Sequence, residues 1–349
     1  MTDIANRYKN NPILSPMDLN PSEENMIIEC LLNPGVFEFK EKKWLLVRVA
    51  ERTIQKEGLL SVPIYNSLGK VEILDFDLSD PKLNASDSRV IRYDGVDYLT
   101  TISHLRLVYS EDGVNFKEDA EYPSLFGEGQ YESYGIEDCR VAKIADNYFL
   151  TYTMVSANGV GVGLRTTQDW KVFEKKGMIF SPHNKDCAIF EEKINGKYYA
   201  LHRPSSPELG GNYIWLAESP DGCHWGNHKC IAKTREGKFD SKRLGAGAAP
   251  IKTARGWLEI YHGATQENRY CLGALLLDLN DPSIVIARSE EPIMIPTESY
   301  ERTGFFGEVI FTNGHIIDGD QIQMYYGAAD EFVGLATFSI AAILKTLEK

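Results

Sequence analysis

The stretch YGIEDCRV, residues 134–141, sets Glu137 and Asp138 side by side at the start of an apolar strand, with Arg140 two positions on. A surface turn with a local ion pair is the plain reading. A stronger one comes from residues elsewhere that stand in the same setting. Asn33-Pro34-Gly35-Val36, Asp87-Ser88-Arg89-Val90, Asp138-Cys139-Arg140-Val141 and Asp186-Cys187-Ala188-Ile189 each place an amide or carboxylate just ahead of an apolar strand. The strands that return beside them end in polar residues: Arg48, His104, Tyr152, His202, Arg203, Tyr261, His262 and Asp330. If all these ends share one rim, acids and bases far apart in sequence meet in a single pocket. Such a set suits glycosyl transfer, in which an acid protonates the leaving oxygen while a nucleophile attacks the anomeric carbon. Attack by water with inversion needs a second carboxylate as base. Attack by phosphate needs cationic donors to hold the anion instead. Asp138, wedged beside Glu137 and an apolar wall, is expected to be the acid, with its pKa shifted upward.

The elements that position these residues repeat. Residues 35–49, 89–103, 140–154, 188–202, 250–264 and 316–330 each read as a short apolar strand, a polar turn and a second strand, both alternating with period two. Their anchors Trp44, Tyr98, Tyr148, Tyr198, Trp257 and Ile322 are spaced by 54, 50, 50, 59 and 65 residues, which leaves room for about four strands per unit. That is the size of a propeller blade, and six hairpins predict five or six blades if the terminal segments complete one together. Innermost strands of a propeller converge on its axis, so the carboxylates above would ring a central channel. The expected organisation is one all-β domain over residues 1–349, with an N-terminal arm over about 1–30 and a C-terminal helix over about 339–349.

Composition narrows the function classes. A net charge of -13 without a lysine- or arginine-rich run argues against a nucleic-acid partner, and an anionic substrate would need basic residues gathered in one pocket. Eighteen tyrosines, fifteen phenylalanines and five tryptophans suit sheets and the stacking of sugar rings. No apolar run is long enough for a membrane span, and the first residues lack a signal-peptide core, so the expected location is cytoplasmic. Six cysteines without CxxC spacing point to reduced thiols and no structural metal site. GAGAAP (245–250) lacks a following GK[ST], so it reads as a place of close backbone approach or a turn and not as a nucleotide loop.

Three runs in order, YGIEDCRV, NKDCAIFEEKINGKYYALHRP (184–204) and RLGAGAAPIKTARGWLEIYHG (243–263), resemble glycoside hydrolase family 130, the β-mannoside phosphorylases and related β-mannosidases. The likeness extends over roughly residues 30–330. It implies a five-bladed propeller with a central active-site cavity, no cofactor, and inorganic phosphate as co-substrate. Position by position it implies Asp138 as general acid and His183, Asn184, Arg203, Arg243 and His262 as phosphate-binding residues. Asp330 would lie near the sugar, with Asn33, Arg48, Asp87, His104, Glu137, Asp186 and Tyr261 as further substrate contacts. Three positions depart from the family pattern: His183 stands for an arginine, Arg243 for a lysine and Cys139 for a proline. His183 weakens the phosphate argument, since neutral imidazole offers one donor and no fixed charge. Arg243 keeps the charge and adds a fork. YLTTISHLRLVYSEDGVNF (98–116) resembles the branch acting on β-1,2-linked mannosides.

The expectation is therefore inverting phosphorolysis of short β-mannosides to α-mannose 1-phosphate and a shortened sugar. The alternative is an inverting β-mannosidase using water, with Glu308 or Glu218 as base. A non-catalytic scaffold would leave the acid-and-arginine grouping without purpose. Enzymes of this kind commonly self-associate, although no exposed apolar face is legible in the sequence.

Overall fold

The computed structural model describes residues 3–87, 89–205 and 210–348, so Ser88 and the last residue of the expected C-terminal helix lie outside it. The regular secondary structure of the described residues is almost wholly β, in antiparallel runs. The first run is Met26–Phe39, Lys42–Thr53, Ile102–Ser110 and Lys117–Glu118; the second is Gly135–Ile144, Asn147–Ser156, Gly159–Thr167 and Glu174–Phe180. A single parallel contact, Gly135 beside Ser103, joins these two into one sheet. The third run is Asn184–Ile189, Tyr198–Pro204, Ile214–Ser219 and Gly226–Ala232. In the fourth, Arg243–Gly245 and Ile251–Thr253 both pair with Gly256–Ala264, followed by Tyr270–Leu277 and Val285–Arg288. The fifth is Ile310–Asp318, Gln321–Ala328 and Phe332–Ser339, and its free edge is filled by Asn6–Arg7 from the other end of the chain.

The middle strands of these runs are buried on both faces, and the core is correspondingly divided. One cluster around Phe37, Trp44, Leu150 and Trp170 joins the first run to the second. Others join second to third (Phe149, Leu164, Ile189), third to fourth (Leu201, Leu216, Leu275) and fourth to fifth (Ile260, Leu272, Met324). A last one returns from fifth to first through Leu31, Val47, Tyr325 and Val333. Phe37 and Trp170 stack face to face, with centroids 3.5 Å apart and ring planes 6° from parallel, at the junction of the first and second runs. Hairpin turns carry the residues their geometry demands: Asn195-Gly196 and Asp94-Gly95 both have positive φ, as a two-residue turn between twisted strands requires. The C-terminal helix is shorter than expected, Ile340–Thr346, started by Ser339 Oγ accepting from the Ala342 N–H at 3.0 Å.

One of the six expected repeats is not built like the others. Within 89–103, Val90–Tyr93 and Val96–Leu99 form a separate small sheet with Leu83–Asn84, while Ile102–Ser110 pairs with Lys42–Thr53. Residues 54–101 are thus an insertion between two strands of the first run, and the match of Asp87 to Asp138 is one of sequence only.

Candidate active site

Backbone bulges aim the key side chains. In the first strand of the first, second and third runs the register slips between Leu32 and Gly35, Glu137 and Arg140, and Lys185 and Ala188. Asn33, Asp138 and Asp186 begin these irregularities with φ of 34°, 48° and 53°. Asn and Asp are the non-glycine residues that best tolerate this left-handed region, so the residue type follows from the backbone as well as from the chemistry. A bulge turns the side chain out of the ladder. All three point into one cavity of about 470 Å³.

On one side of the cavity Asp138 Oδ1 accepts from Asn33 Nδ2 and from Arg48 Nη1, both at 3.1 Å, while Arg48 Nη2 donates to Glu137 Oε1 at 2.8 Å. The expected upward shift of Asp138 is corrected here. Burial does push its carboxyl up, but Arg48, Lys185 and Arg140 outweigh that and hold it below its ordinary value. Asp330, at the same mouth, behaves oppositely. Burial, with the Asp138 and Glu137 charges adding to it and Arg48 opposing, pushes it up to about 6. The arginine of the opening motif has a separate task. Buried Arg140 donates to the Asp138 backbone carbonyl at 3.0 Å, to Gly247 O at 2.7 Å, to Ala246 O at 2.8 Å and to Asp186 Oδ1 at 3.3 Å. It ties three runs together beneath the cavity.

The opposite side is cationic. Arg203 Nη1 lies 3.0 Å from Asp186 Oδ2, and Arg243 Nη1 donates to the Tyr270 hydroxyl at 3.1 Å. The Nε atoms of both arginines are buried and have no hydrogen-bond partner among the described residues. His262 stands behind them with Nε2 3.3 Å from Asp186 Oδ2. Burial lowers its pKa to about 4, so the imidazole is neutral near pH 7, and its Nε2 also lies 3.3 Å from Arg203 Nη1. Asp186 itself is penalised by burial, yet Arg203, His262 and Arg140 hold it well below the usual range. Gly245 is required beside it, because a Cβ there would overlap the Asp186 carboxylate. Lys185 and Lys242 complete the basic side, and Phe306, Val309 and Phe311 form an apolar wall. In all, six basic and four acidic residues line a cavity in a chain of net charge -13. The local sign is reversed, as an anionic ligand needs.

Of the residues expected from sequence, Asn33, Arg48, Glu137, Asp138, Asp186, Arg203, Arg243 and Asp330 line this cavity, with His262 directly behind it. Five are not brought there. Asp87 is exposed on the insertion, bonded to Arg89, because its strand belongs to the separate small sheet. His104 is fully buried against Phe126, 3.9 Å from Glu51, with its pKa lowered to about 3 by burial. Tyr261 points away from the cavity and donates to buried Asp240 at 2.7 Å. Asn184 turns to His202 Nδ1 at 3.0 Å. His183 is exposed and lines a neighbouring cleft with Tyr98 and Tyr134. Sequence reasoning missed Lys185, Lys242, Arg89, Asn268 and Tyr270. Lys185 carried a usable signal, since it pairs across the ladder with Arg203. Glu218 and Glu308 do not line the cavity; they bond Lys197 at 2.6 Å and Arg302 at 2.7 Å.

Comparison with known proteins agrees with the motifs. The family model described as beta-1,4-mannooligosaccharide phosphorylase, glycoside hydrolase family 130, matches residues 88–349. A beta-1,2-mannobiose phosphorylase of Listeria innocua is 45% identical over 348 residues, covering 98% of this chain and 98% of its own. A 1,2-beta-oligomannan phosphorylase of a Thermoanaerobacter species is 40% identical over 69% of this chain and 80% of its own. The solved complex of the Listeria innocua beta-1,2-mannobiose phosphorylase with beta-1,2-mannobiose has a TM-score of 0.93 at 43% identity, over 98% of this chain and 99% of that one. The chain belongs to glycoside hydrolase family 130.

Proposed function

We propose that the protein is an inverting β-mannoside phosphorylase acting on β-1,2-mannobiose or short β-1,2-mannooligosaccharides. Phosphate attacks the anomeric carbon of the terminal mannose, the glycosidic C–O bond breaks on the opposite face, and α-mannose 1-phosphate leaves with a shortened sugar. The observation that carries this is the pair of buried, unpartnered Nε–H donors on Arg203 and Arg243 in the cavity wall. Buried donors without acceptors are costly, and a phosphate oxygen satisfies them with charge-assisted bonds. Two relatives named as phosphorylases of β-1,2-linked mannosides support the substrate class.

Asp138 serves as the acid that protonates the leaving oxygen. Arg48, Lys185 and Arg140 favour its ionised form in the unliganded protein. Phosphate seated near Lys185 and Arg203 offsets that positive field, which moves Asp138 toward the protonated state the step requires. The five runs and the five apolar clusters that join them in sequence, last back to first, support a closed five-bladed propeller about this cavity, with Asn6–Arg7 completing the last blade. Free thiols at all six cysteines suit a cytoplasmic location. No helix among the described residues is long and apolar enough to cross a membrane.

Incubation with β-1,2-mannobiose, with and without inorganic phosphate, tests the assignment. Mannose 1-phosphate is expected only when phosphate is present. Free mannose as sole product at equal rates in both samples would overturn it.

A further inference from the structure

We propose that Arg89, carried on the 54–101 insertion, grips the leaving sugar and sets acceptor affinity. This inference rests on the phosphorolysis reading above. The other five basic residues of the cavity belong to the five strand runs or the segments directly joining them; Arg89 alone comes from the small inserted sheet. Its backbone is anchored there, since Arg89 O accepts from the Thr100 N–H at 3.0 Å and Val90 pairs with Leu99. Its side chain is set by Asp87. The Arg89 N–H donates to Asp87 Oδ1 at 2.8 Å, Nε to Oδ1 at 3.3 Å and Nη2 to Oδ2 at 3.2 Å. Asp87 therefore orients the guanidinium and is not itself a cavity residue. The pair is exposed, with side chains 58% and 46% accessible, so it is weak and costs little to rearrange.

Inversion fixes which half of the reaction Arg89 serves. Nucleophile and leaving group must occupy opposite faces of the mannose ring. The anion site is the Arg203–Arg243 wall, so the leaving sugar departs on the face of Asp138. Arg89 lines the cavity with Asp138, Glu137 and Asp330, and, unlike Arg203 and Arg243, it carries no buried unpartnered N–H among the described residues, its charge being matched by Asp87. A planar fork of five donors with no acceptor suits the neighbouring hydroxyls of a neutral sugar. An exposed arginine on an insertion can also vary without disturbing the catalytic groups.

The test uses both directions of the reaction for wild type, Arg89→Ala, Arg89→Lys and Asp87→Asn. In the synthetic direction, Arg89→Ala is expected to raise KM for acceptor mannose about 10-fold, while KM for mannose 1-phosphate, and for phosphate in phosphorolysis, stay within about 2-fold. Arg89→Lys should recover part of the loss, and Asp87→Asn should raise the acceptor KM by about 3-fold through misorientation alone. A wild-type acceptor KM in Arg89→Ala, or a rise confined to phosphate, would overturn the assignment. If wild-type enzyme makes no sugar phosphate, the phosphorolysis reading falls and takes this one with it. If wild type makes it and only the acceptor KM refuses to move, Arg89 alone is reassigned.

Discussion

Asp138 and Arg243 lie in one cavity but ask for opposite things from it. In the proposed acid role Asp138 must hold a proton at the moment of bond breaking, and Arg48 at 3.1 Å works against that in the unliganded protein. Arg243 has no acidic partner among the described residues; its one side-chain hydrogen bond there goes to the Tyr270 hydroxyl. Removing it therefore strands no buried charge, unlike removal of Arg203, which would leave Asp186 with less compensation. Arg243→Ala is expected to raise KM for phosphate roughly 10- to 100-fold, the loss of one or two charge-assisted bonds, with KM for mannobiose changed by less than about 3-fold. Steady-state kinetics with each substrate varied in turn reads both. Asp138→Asn keeps the shape but has no transferable proton, so turnover should drop by about 10²- to 10⁴-fold, with a modest fall in thermal midpoint because Arg48 keeps only Glu137 as an ionic partner. A variant retaining near wild-type turnover would remove Asp138 from the acid role.

At the scale of the strand, alternation decides what the sequence could reveal. Arg203 and His262 are on the cavity side, so their neighbours His202 and Tyr261 face the packing between sheets. Sequence reading recognised the strand ends but could not phase them, because a one-residue choice flips every side chain. The bulge residues were legible, since Asn33, Asp138 and Asp186 share both type and local setting. Asp87 shares them too, and only pairing partners tell an insertion from a repeat. Tyr270 was hidden for another reason: nothing in a lone tyrosine announces the Arg243 guanidinium that it meets across the cavity wall. The outward-facing tyrosines are themselves a repeated device. Tyr152 donates to Glu132 at 2.7 Å and Arg165 pairs with that glutamate at 3.0 Å; Tyr326 and Arg7 meet Glu301 at 2.8 and 2.7 Å; Tyr261 and Arg288 meet Asp240. Each carboxylate is buried, so losing its charge strands an arginine. Glu132→Gln should destabilise the fold by about 3–5 kcal/mol, read from urea unfolding, with KM values unchanged at a temperature where the variant stays folded. A cost below about 1 kcal/mol would mean the clasp is not structural.

Across the whole molecule, buried titratable groups set a pH window for stability. Burial lowers the pKa of His104 and His202 to about 3 and of His262 and His315 to about 4. In the unfolded chain these titrate near 6.5, so below that pH the unfolded state binds more protons and stability is lost as pH falls. Four carboxyls act the other way. Asp330 is raised to about 6 and Glu259 to about 8, and Glu191 and Glu331 are raised as well, all chiefly by burial, so each favours the folded state at low pH and loses that contribution as pH rises through its folded value. Near pH 5 Asp330 and Glu259 alone offset close to two of the four histidine protons, leaving a net of at most roughly two, equivalent to at most about 3 kcal/mol of lost stability per pH unit. Toward pH 8 the histidines are neutral in both states, but Glu259 still titrates and burial raises all six cysteine thiols, which ionise at about 8.5 once unfolded, so stability falls increasingly there. The maximum is expected near pH 7, with steep limbs on both sides, measurable as urea midpoints from pH 4.5 to 9. His104 gives the sharpest check. Both its ring nitrogens are buried without hydrogen-bond partners among the described residues, and the ring stacks on Phe126 at 4.8 Å. His104→Phe keeps the stack and removes one proton from the unfolded state's uptake. The acid limb should flatten by about one proton, roughly 1.4 kcal/mol per pH unit, with the alkaline limb unmoved. An unchanged acid slope in His104→Phe would mean this histidine is charged in the folded protein, with Glu51 as its partner.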